Sequence, residues 1–181
     1  MKSAIWKSFL ELKNKKDIFL DFEHYLSELY KWIRDNSVQF NKELLEKYRI
    51  DVLLELNNIV DYLGCDADIC LDKEVERMFK DIPKTEEEFL INIGNTLWDL
   101  LRKRTDKDCP HCLSDDLNYV LAETKKEKKI VLECNTCGWI EYLNGKKWGE
   151  GKTKIYPISN KEIQAIMQEK TNNGILRGEM C

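Results

Sequence analysis

The sequence predicts an α+β fold, in which an N-terminal bundle of four or five helices precedes a small three-stranded sheet and a final helix. In residues 1–104 apolar residues recur at three- and four-residue steps, as expected for helices that bury one face. After Thr105 short runs rich in β-branched and aromatic residues alternate with polar turns, which is typical of strands. We therefore expect a helical bundle at 1–104, a sheet at 105–158 that packs on the bundle, and a C-terminal helix with a loose tail at 159–181.

The bundle is predicted from its apolar stripes and from the residues that end them. The stripes lie at Ile5–Leu12, Ile18–Ile33, Leu45–Leu63 and Phe89–Leu101, with a shorter helix near Asp72. Gly64 suits the C-terminus of a helix that carries the third stripe, and Thr85 with Glu88 forms a capping box before the fourth. Arg102–Arg104 then fall at the end of that last helix, where cations favour the helix dipole.

The three predicted strands are "LNYVLAE", "KKIVLEC" and "WIEYL", and the polar loop "TKKEK" joins the first two. Bulky side chains lie on both faces of this sheet, with Leu117, Tyr119 and Leu121 together on one of them. A small sheet that is apolar on both sides needs a cover, so we expect one face to dock on the helical part. Ser159 and Glu162 form a second capping box, which predicts the final helix.

Four cysteines carry the strongest chemical signal in the sequence. Cys109 and Cys112 form one C-x-x-C pair, Cys134 and Cys137 form another, and 21 residues (113–133) separate the pairs. Each turn lets two thiolates converge on one ion while backbone amides point toward the sulfurs, and a hairpin brings the two turns together. The spacing predicts a tetrahedral site for one structural Zn²⁺ per chain, with iron as the minor alternative for the same ligands.

The knuckles "CPHC" and "CNTCG" make residues 107–144 resemble a zinc ribbon with rubredoxin-like knuckles. The resemblance covers under a third of the chain and implies a fold module, because zinc ribbons serve many unrelated functions. Leu113 stands where glycine is common after the first knuckle, which predicts a less regular turn there than at Gly138. No family is recognised over the full length.

The other reactive residues favour structural roles. His111 lies inside the first knuckle, and four thiolates leave it no ligand position, so we interpret it as a spacer. Cys65 and Cys70 lack nearby ligand partners in the sequence, and we interpret them as ordinary thiols. The acidic residues around them lack the glycine and the terminal glutamate of a calcium loop. The role of Cys181 stays open.

The charge distribution restricts the choice of partner. The net charge is −4, with 17 Lys and Arg against 21 Asp and Glu in residues 1–104, and 12 of each in residues 105–181. Neither part is strongly basic, as proteins that depend on phosphate contacts usually are. No apolar run is long enough to span a bilayer and no signal-peptide pattern is present, so we expect a cytoplasmic protein without a membrane partner.

No serine–histidine–aspartate set, zinc-protease motif, phosphate loop or dinucleotide fingerprint is present, so we predict a protein without catalytic activity. Our first hypothesis is a zinc-containing protein-binding module, such as a small inhibitor or an immunity or antitoxin protein, whose acidic helices engage a basic partner. An unrecognised enzyme that uses carboxylates or cysteines is a further hypothesis. The main alternative is a nucleic-acid-binding or transcription-associated regulator that uses the ribbon and nearby cations, Arg102, Lys103, Arg104, Lys125, Lys126, Lys128 and Lys129.

Overall fold

The computed structural model describes residues 3–13, 22–64, 83–149 and 152–172. It confirms the α+β class, with N-terminal helices, a five-stranded antiparallel sheet and a C-terminal helix. The chain divides into two compact units, residues 1–60 with 66–100, and residues 61–65 with 101–181. The packing of the sheet on the bundle stays a prediction. The predicted helix near Asp72, the cysteines Cys65 and Cys70, and the tail to Cys181 lie outside the described residues.

The helices of the first unit follow the apolar stripes in most places. They are α1 (Ser3–Lys13), α2 (Phe22–Asn36), α3 (Lys42–Lys47), α4 (Ile50–Leu53) and α5 (Glu86–Leu100), with single 3₁₀ turns at Ser37–Gln39 and Ile59–Tyr62. The N-terminus of α5 is capped as predicted, because the Thr85 hydroxyl accepts from the Glu88 N–H at 3.0 Å. The Glu88 carboxylate accepts from the N–H of Lys84 at 2.7 Å, one residue before the position expected of a capping box.

An aromatic cluster forms the centre of this unit. Phe9 and Phe89 meet edge to face with ring centroids 5.0 Å apart, and Trp32 meets Phe89 in the same manner at 5.9 Å. The indole N–H of Trp32 donates to the Ser8 hydroxyl at 2.9 Å. The aromatic residues of the stripes are therefore used in packing within the unit.

The single helix predicted for the third stripe is wrong, because the chain breaks it into α3 and α4. Arg49 adopts a left-handed backbone with φ of 55°, and its guanidinium lies over the ring of Trp98 at 5.8 Å. Beyond the break, the Tyr30 hydroxyl lies 2.8 Å from the carbonyl oxygen of Leu53 and 2.5 Å from that of Leu56. A buried hydroxyl thus serves carbonyls that a continuous helix would satisfy by itself.

The sheet of the second unit has two strands more than the three predicted. Its strands are β1 (Arg104–Asp108), β2 (Asp116–Glu123), β3 (Lys128–Cys134), β4 (Ile140–Tyr142) and β5 (Lys154–Pro157). They are antiparallel in the order β1-β2-β3-β4, and β5 pairs with β2. Arg102 and Lys103 follow the C-terminus of α5 at Leu100, whereas Arg104 begins β1, so the predicted placement at a helix end is wrong for Arg104.

The final helix, α6 (Asn160–Asn172), covers one face of this sheet. It packs Ile163, Ile166 and Met167 against the face that carries Leu117 and Tyr119. The predicted capping box is confirmed, since the backbone N–H of Ser159 donates to the Glu162 carboxylate at 2.9 Å and the Glu162 N–H donates to the Ser159 hydroxyl at 3.3 Å. The cover of this face therefore comes from within the second unit.

Candidate metal centre

Four cysteine side chains converge at one end of the β2–β3 hairpin. Leu117 pairs with Cys134 in the first row of the hairpin, and the two C-x-x-C turns lie just beyond that row. All four sulfur atoms lie within 4.8 Å of one another. The Sγ atoms of Cys109 and Cys137 are 3.6 Å apart, as are those of Cys112 and Cys134. The closest approaches are thus made between the two turns, which the hairpin brings together.

The two knuckles share one backbone geometry. The N–H of Leu113 donates to the carbonyl of Cys109 at 3.0 Å, and the N–H of Gly138 donates to the carbonyl of Cys134 at 2.9 Å. The φ angles are 55° at Leu113 and 71° at Gly138, so both residues are left-handed. The prediction that the first turn is less regular than the second is therefore wrong. Leu113 adopts the same left-handed conformation as Gly138.

Backbone amides point at the sulfurs, as predicted for such turns. The Ser114 N–H bonds to the Cys112 sulfur and lowers the pKa of that thiol to about 7. Burial raises the pKa of the Cys134 thiol to about 12, although the N–H of Cys137 bonds to its sulfur. Cys109 and Cys134 are buried, whereas Cys112 is partly exposed and Cys137 is exposed. Burial makes the thiolate of Cys134 unfavourable, and a bound cation would replace its proton.

The four thiols fit a tetrahedral metal ion. Zinc–sulfur bonds of about 2.3 Å place the sulfurs of a regular tetrahedron roughly 3.8 Å apart, close to the two separations of 3.6 Å. A disulfide would need about 2.05 Å. The four cysteines are also the only group of potential ligands that meet in this way among the described residues. His111 stays outside the cluster, as the spacer interpretation predicts, and stacks on Trp139.

Polar contacts hold the two knuckles in register. The Thr136 hydroxyl donates to the Asp115 carboxylate at 3.2 Å, which links the second knuckle to the residues that follow the first. The Asn135 amide, with its oxygen turned toward Arg102, accepts from the guanidinium Nε at 2.8 Å and from Nη2. Arg102, predicted as a nucleic-acid contact, is therefore engaged with the second knuckle.

A buried carboxylate near the knuckles was missed in the sequence. Glu141 is 1% exposed, accepts from the indole N–H of Trp139 at 3.0 Å and forms an ion pair with Lys107. The signal that could have found it is strand alternation, since Trp139 and Glu141 are two residues apart and share one face of the sheet. The pairing with Lys107 has no sequence signature, because 34 positions separate the two residues.

The predicted cations separate into different environments. Lys103 is buried, and its ammonium donates to the carbonyl of Tyr62 at 3.0 Å and to the side chain of Asn160 at 2.6 Å. Arg104 is exposed at the start of β1. Of the three adjacent cations, Arg104 is thus the one whose side chain is open to solvent.

The other four predicted cations are exposed at the tip of the β2–β3 hairpin, namely Lys125, Lys126, Lys128 and Lys129. The ammonium of Lys128 lies 4.6 Å from the ring centre of Tyr156, and Lys129 pairs with Glu127 at 2.7 Å. The structure therefore brings these four lysines together, although two of them already have partners.

Comparisons of the chain with protein-family models, with curated proteins and with solved structures gave no match. Across the described ranges, no helix has both the length and the apolar character needed to cross a bilayer.

Proposed function

We propose that this chain is a non-catalytic binding protein whose sheet unit is stabilised by one structural Zn²⁺. The observation that carries the proposal is the closed set of four sulfurs, Cys109, Cys112, Cys134 and Cys137, within 4.8 Å of one another. Four thiolates fill the coordination of a tetrahedral ion, so no position is left for a substrate or an activated water. The knuckle geometry and the antiparallel hairpin support a zinc ribbon with rubredoxin-like knuckles over residues 107–144.

The partner that the charge distribution favours is a basic protein. Residues 1–104 carry 21 acidic against 17 basic residues, and α5 begins with three consecutive glutamates, Glu86–Glu88. An acidic surface accelerates encounter with a basic partner and discriminates against acidic ones. Small inhibitors of nucleases and immunity or antitoxin proteins work in this manner, and we place the chain in that functional class.

A nucleic-acid-binding regulator is the second candidate, and the exposed lysines at the hairpin tip favour it. Lys125 and Lys126 are exposed and adjacent, and Lys128 and Lys129 follow in β3. The burial of Lys103 and the contact of Arg102 with Asn135 argue against a single surface made of all seven predicted cations.

The metal is tested by elemental analysis of the purified protein. We expect one zinc per chain, and we expect Cys109→Ser with Cys134→Ser to lose it, because one ligand is removed from each knuckle. Cys181→Ser is the matched control, since it removes a thiol outside the predicted ligand set and should keep one zinc. A folded protein without metal, or with iron in place of zinc, would refute this part of the proposal.

The class of partner is tested by affinity capture at increasing salt, followed by direct titration of the captured protein. We expect a basic protein whose association rate falls as salt screens the acidic surface. The matching test of the second candidate is titration with oligonucleotides of the wild type and of K125E/K126E/K128E. Tight binding that the triple variant abolishes would replace the protein-binding role with the nucleic-acid role.

A further inference from the structure

Two aromatic rings beside the metal centre form a stacked pair at the surface. The imidazole of His111 and the indole of Trp139 are nearly parallel, at 9°, with ring centroids 5.5 Å apart. Trp139 is half-buried and His111 is exposed, so the imidazole forms the outer layer of the pair. An exposed imidazole stacked on one side by Trp139 offers its other side as the natural place for a further flat ring.

The orientation of this pair is set by the surrounding structure. The indole N–H of Trp139 donates to the buried Glu141 carboxylate at 3.0 Å, and Lys107 forms an ion pair with that carboxylate. His111 is held by the turn between Cys109 and Cys112, whose sulfurs belong to the cluster. Both rings are thus positioned before any ligand binds, which reduces the conformational entropy lost on binding.

Positive charge accompanies the pair. The ammonium of Lys147 lies 5.3 Å from the ring centre of Trp139, and Lys147 is exposed. Lys146 precedes it and is also exposed, while Lys107 compensates the charge of Glu141. An aromatic surface flanked by lysines is complementary to a base and its phosphate, because the rings offer stacking and the ammonium groups offer charge.

We propose that His111, Trp139 and Lys147 form a binding site for single-stranded nucleic acid, in which one base stacks on His111 and Lys147 contacts an adjacent phosphate. A duplex fits less well, since its bases are covered by their own neighbours. This site is separate from the lysines at the hairpin tip. Six residue steps along the hairpin, from Leu117–Cys134 to Glu123–Lys128, place the two surfaces roughly 20 Å apart.

The test is fluorescence anisotropy of the zinc-loaded full chain with three labelled probes: a 12-nucleotide oligothymidine, an abasic strand of the same length, and a 12-base-pair duplex. We expect the oligothymidine to bind about tenfold more tightly than the abasic strand, because only the former can stack. His111→Ala should remove that difference, and His111→Phe should restore it. Lys147→Glu should weaken both single strands and lower the salt slope by about 0.7.

Two variants serve as matched controls. His24→Ala changes the other histidine, which is exposed on α2, and should leave all three affinities unchanged. K125E/K126E alters the hairpin tip and should preserve the preference for oligothymidine over the abasic strand. Equal affinity for the two single strands, an unchanged preference in His111→Ala, or no binding of any probe by the folded wild type would overturn the proposal. The last outcome would leave the surface to a protein partner.

Discussion

Leu113 and Gly138 occupy equivalent positions in the two knuckles, and both positions have a left-handed backbone. Leu113 and Gly138 both have positive φ, at 55° and 71°, and both donate the hydrogen bond that closes their turn. Leu113 is 77% exposed, and a Cβ at Gly138 would meet no atom within 4 Å. Substitution by alanine and by glycine at these positions therefore tests backbone strain with little interference from packing.

Replacing alanine by glycine at these positions should stabilise the protein, whereas the same replacement usually destabilises it. At ordinary positions glycine is less favourable than alanine by about 0.5–1 kcal/mol, because the unfolded chain gains freedom. A left-handed backbone costs a residue with a Cβ about 1–2 kcal/mol, and glycine does not have this cost. The balance makes L113G more stable than L113A by about 1 kcal/mol, and it makes G138A less stable than the wild type by a similar amount.

The measurement is urea unfolding of the four proteins at a fixed concentration of free zinc, followed by tryptophan fluorescence. Free zinc must be held constant because bound metal adds its own stabilisation. L113A that equals or exceeds L113G in stability would refute the reasoning, since it would mean that the left-handed turn at Leu113 has no energetic cost. If G138A is as stable as the wild type, the same reasoning is refuted for the second knuckle.

Three further predictions concern the metal, the buried ion pair and a surface carboxylate. Chelation of zinc should abolish the near-ultraviolet circular dichroism of the sheet unit, because structural zinc contributes on the order of 10 kcal/mol in small domains; an unchanged spectrum of metal-free protein would contradict this. K107A should lower the free energy of unfolding in urea by about 3 kcal/mol, because it leaves Glu141 buried without a cation. E141Q should lower it by about 1 kcal/mol, because Lys107 is half-exposed and reaches water. Equal losses for the two variants would contradict this difference. Hydrogen bonds from Lys47 and Tyr48 hold the pKa of Glu87 in the folded protein below its usual value. Glu87 therefore stabilises the fold at pH values above its usual pKa, and this stabilisation is lost as the pH falls through the lowered pKa. E87Q should therefore lower Tm at neutral pH and leave Tm unchanged near pH 2, and a difference that persists in acid would exclude this linkage.

The parts of the fold that were predicted correctly depend on short-range patterns. The four-cysteine cluster follows from two C-x-x-C turns, and each turn needs only its own backbone to aim two sulfurs at one point. The capping box of Ser159 and Glu162 is likewise complete within four residues. The stripes that became α2 and α5 succeeded because their apolar period is long and regular.

The parts that were missed depend on contacts between distant residues. β1 reads "RTDKD" and has no apolar alternation, because it is an exposed strand that exists through its pairing with β2. The break at Arg49 lies inside a continuous apolar stripe, and the Tyr30 hydroxyl that serves the carbonyls beyond it lies more than twenty positions earlier in the chain. Local periodicity contains no information about either partner.

The sequence by itself determined that this protein has helices followed by a small sheet, and which four cysteines meet. Both conclusions follow from periods and spacings that act within a single element or turn. Only the tertiary structure decided that Lys103 is buried, that Glu141 is paired with Lys107, and that His111 stacks on Trp139 at the surface. These contacts join residues from different strands and turns, and their energies arise only once the sheet has brought those residues together.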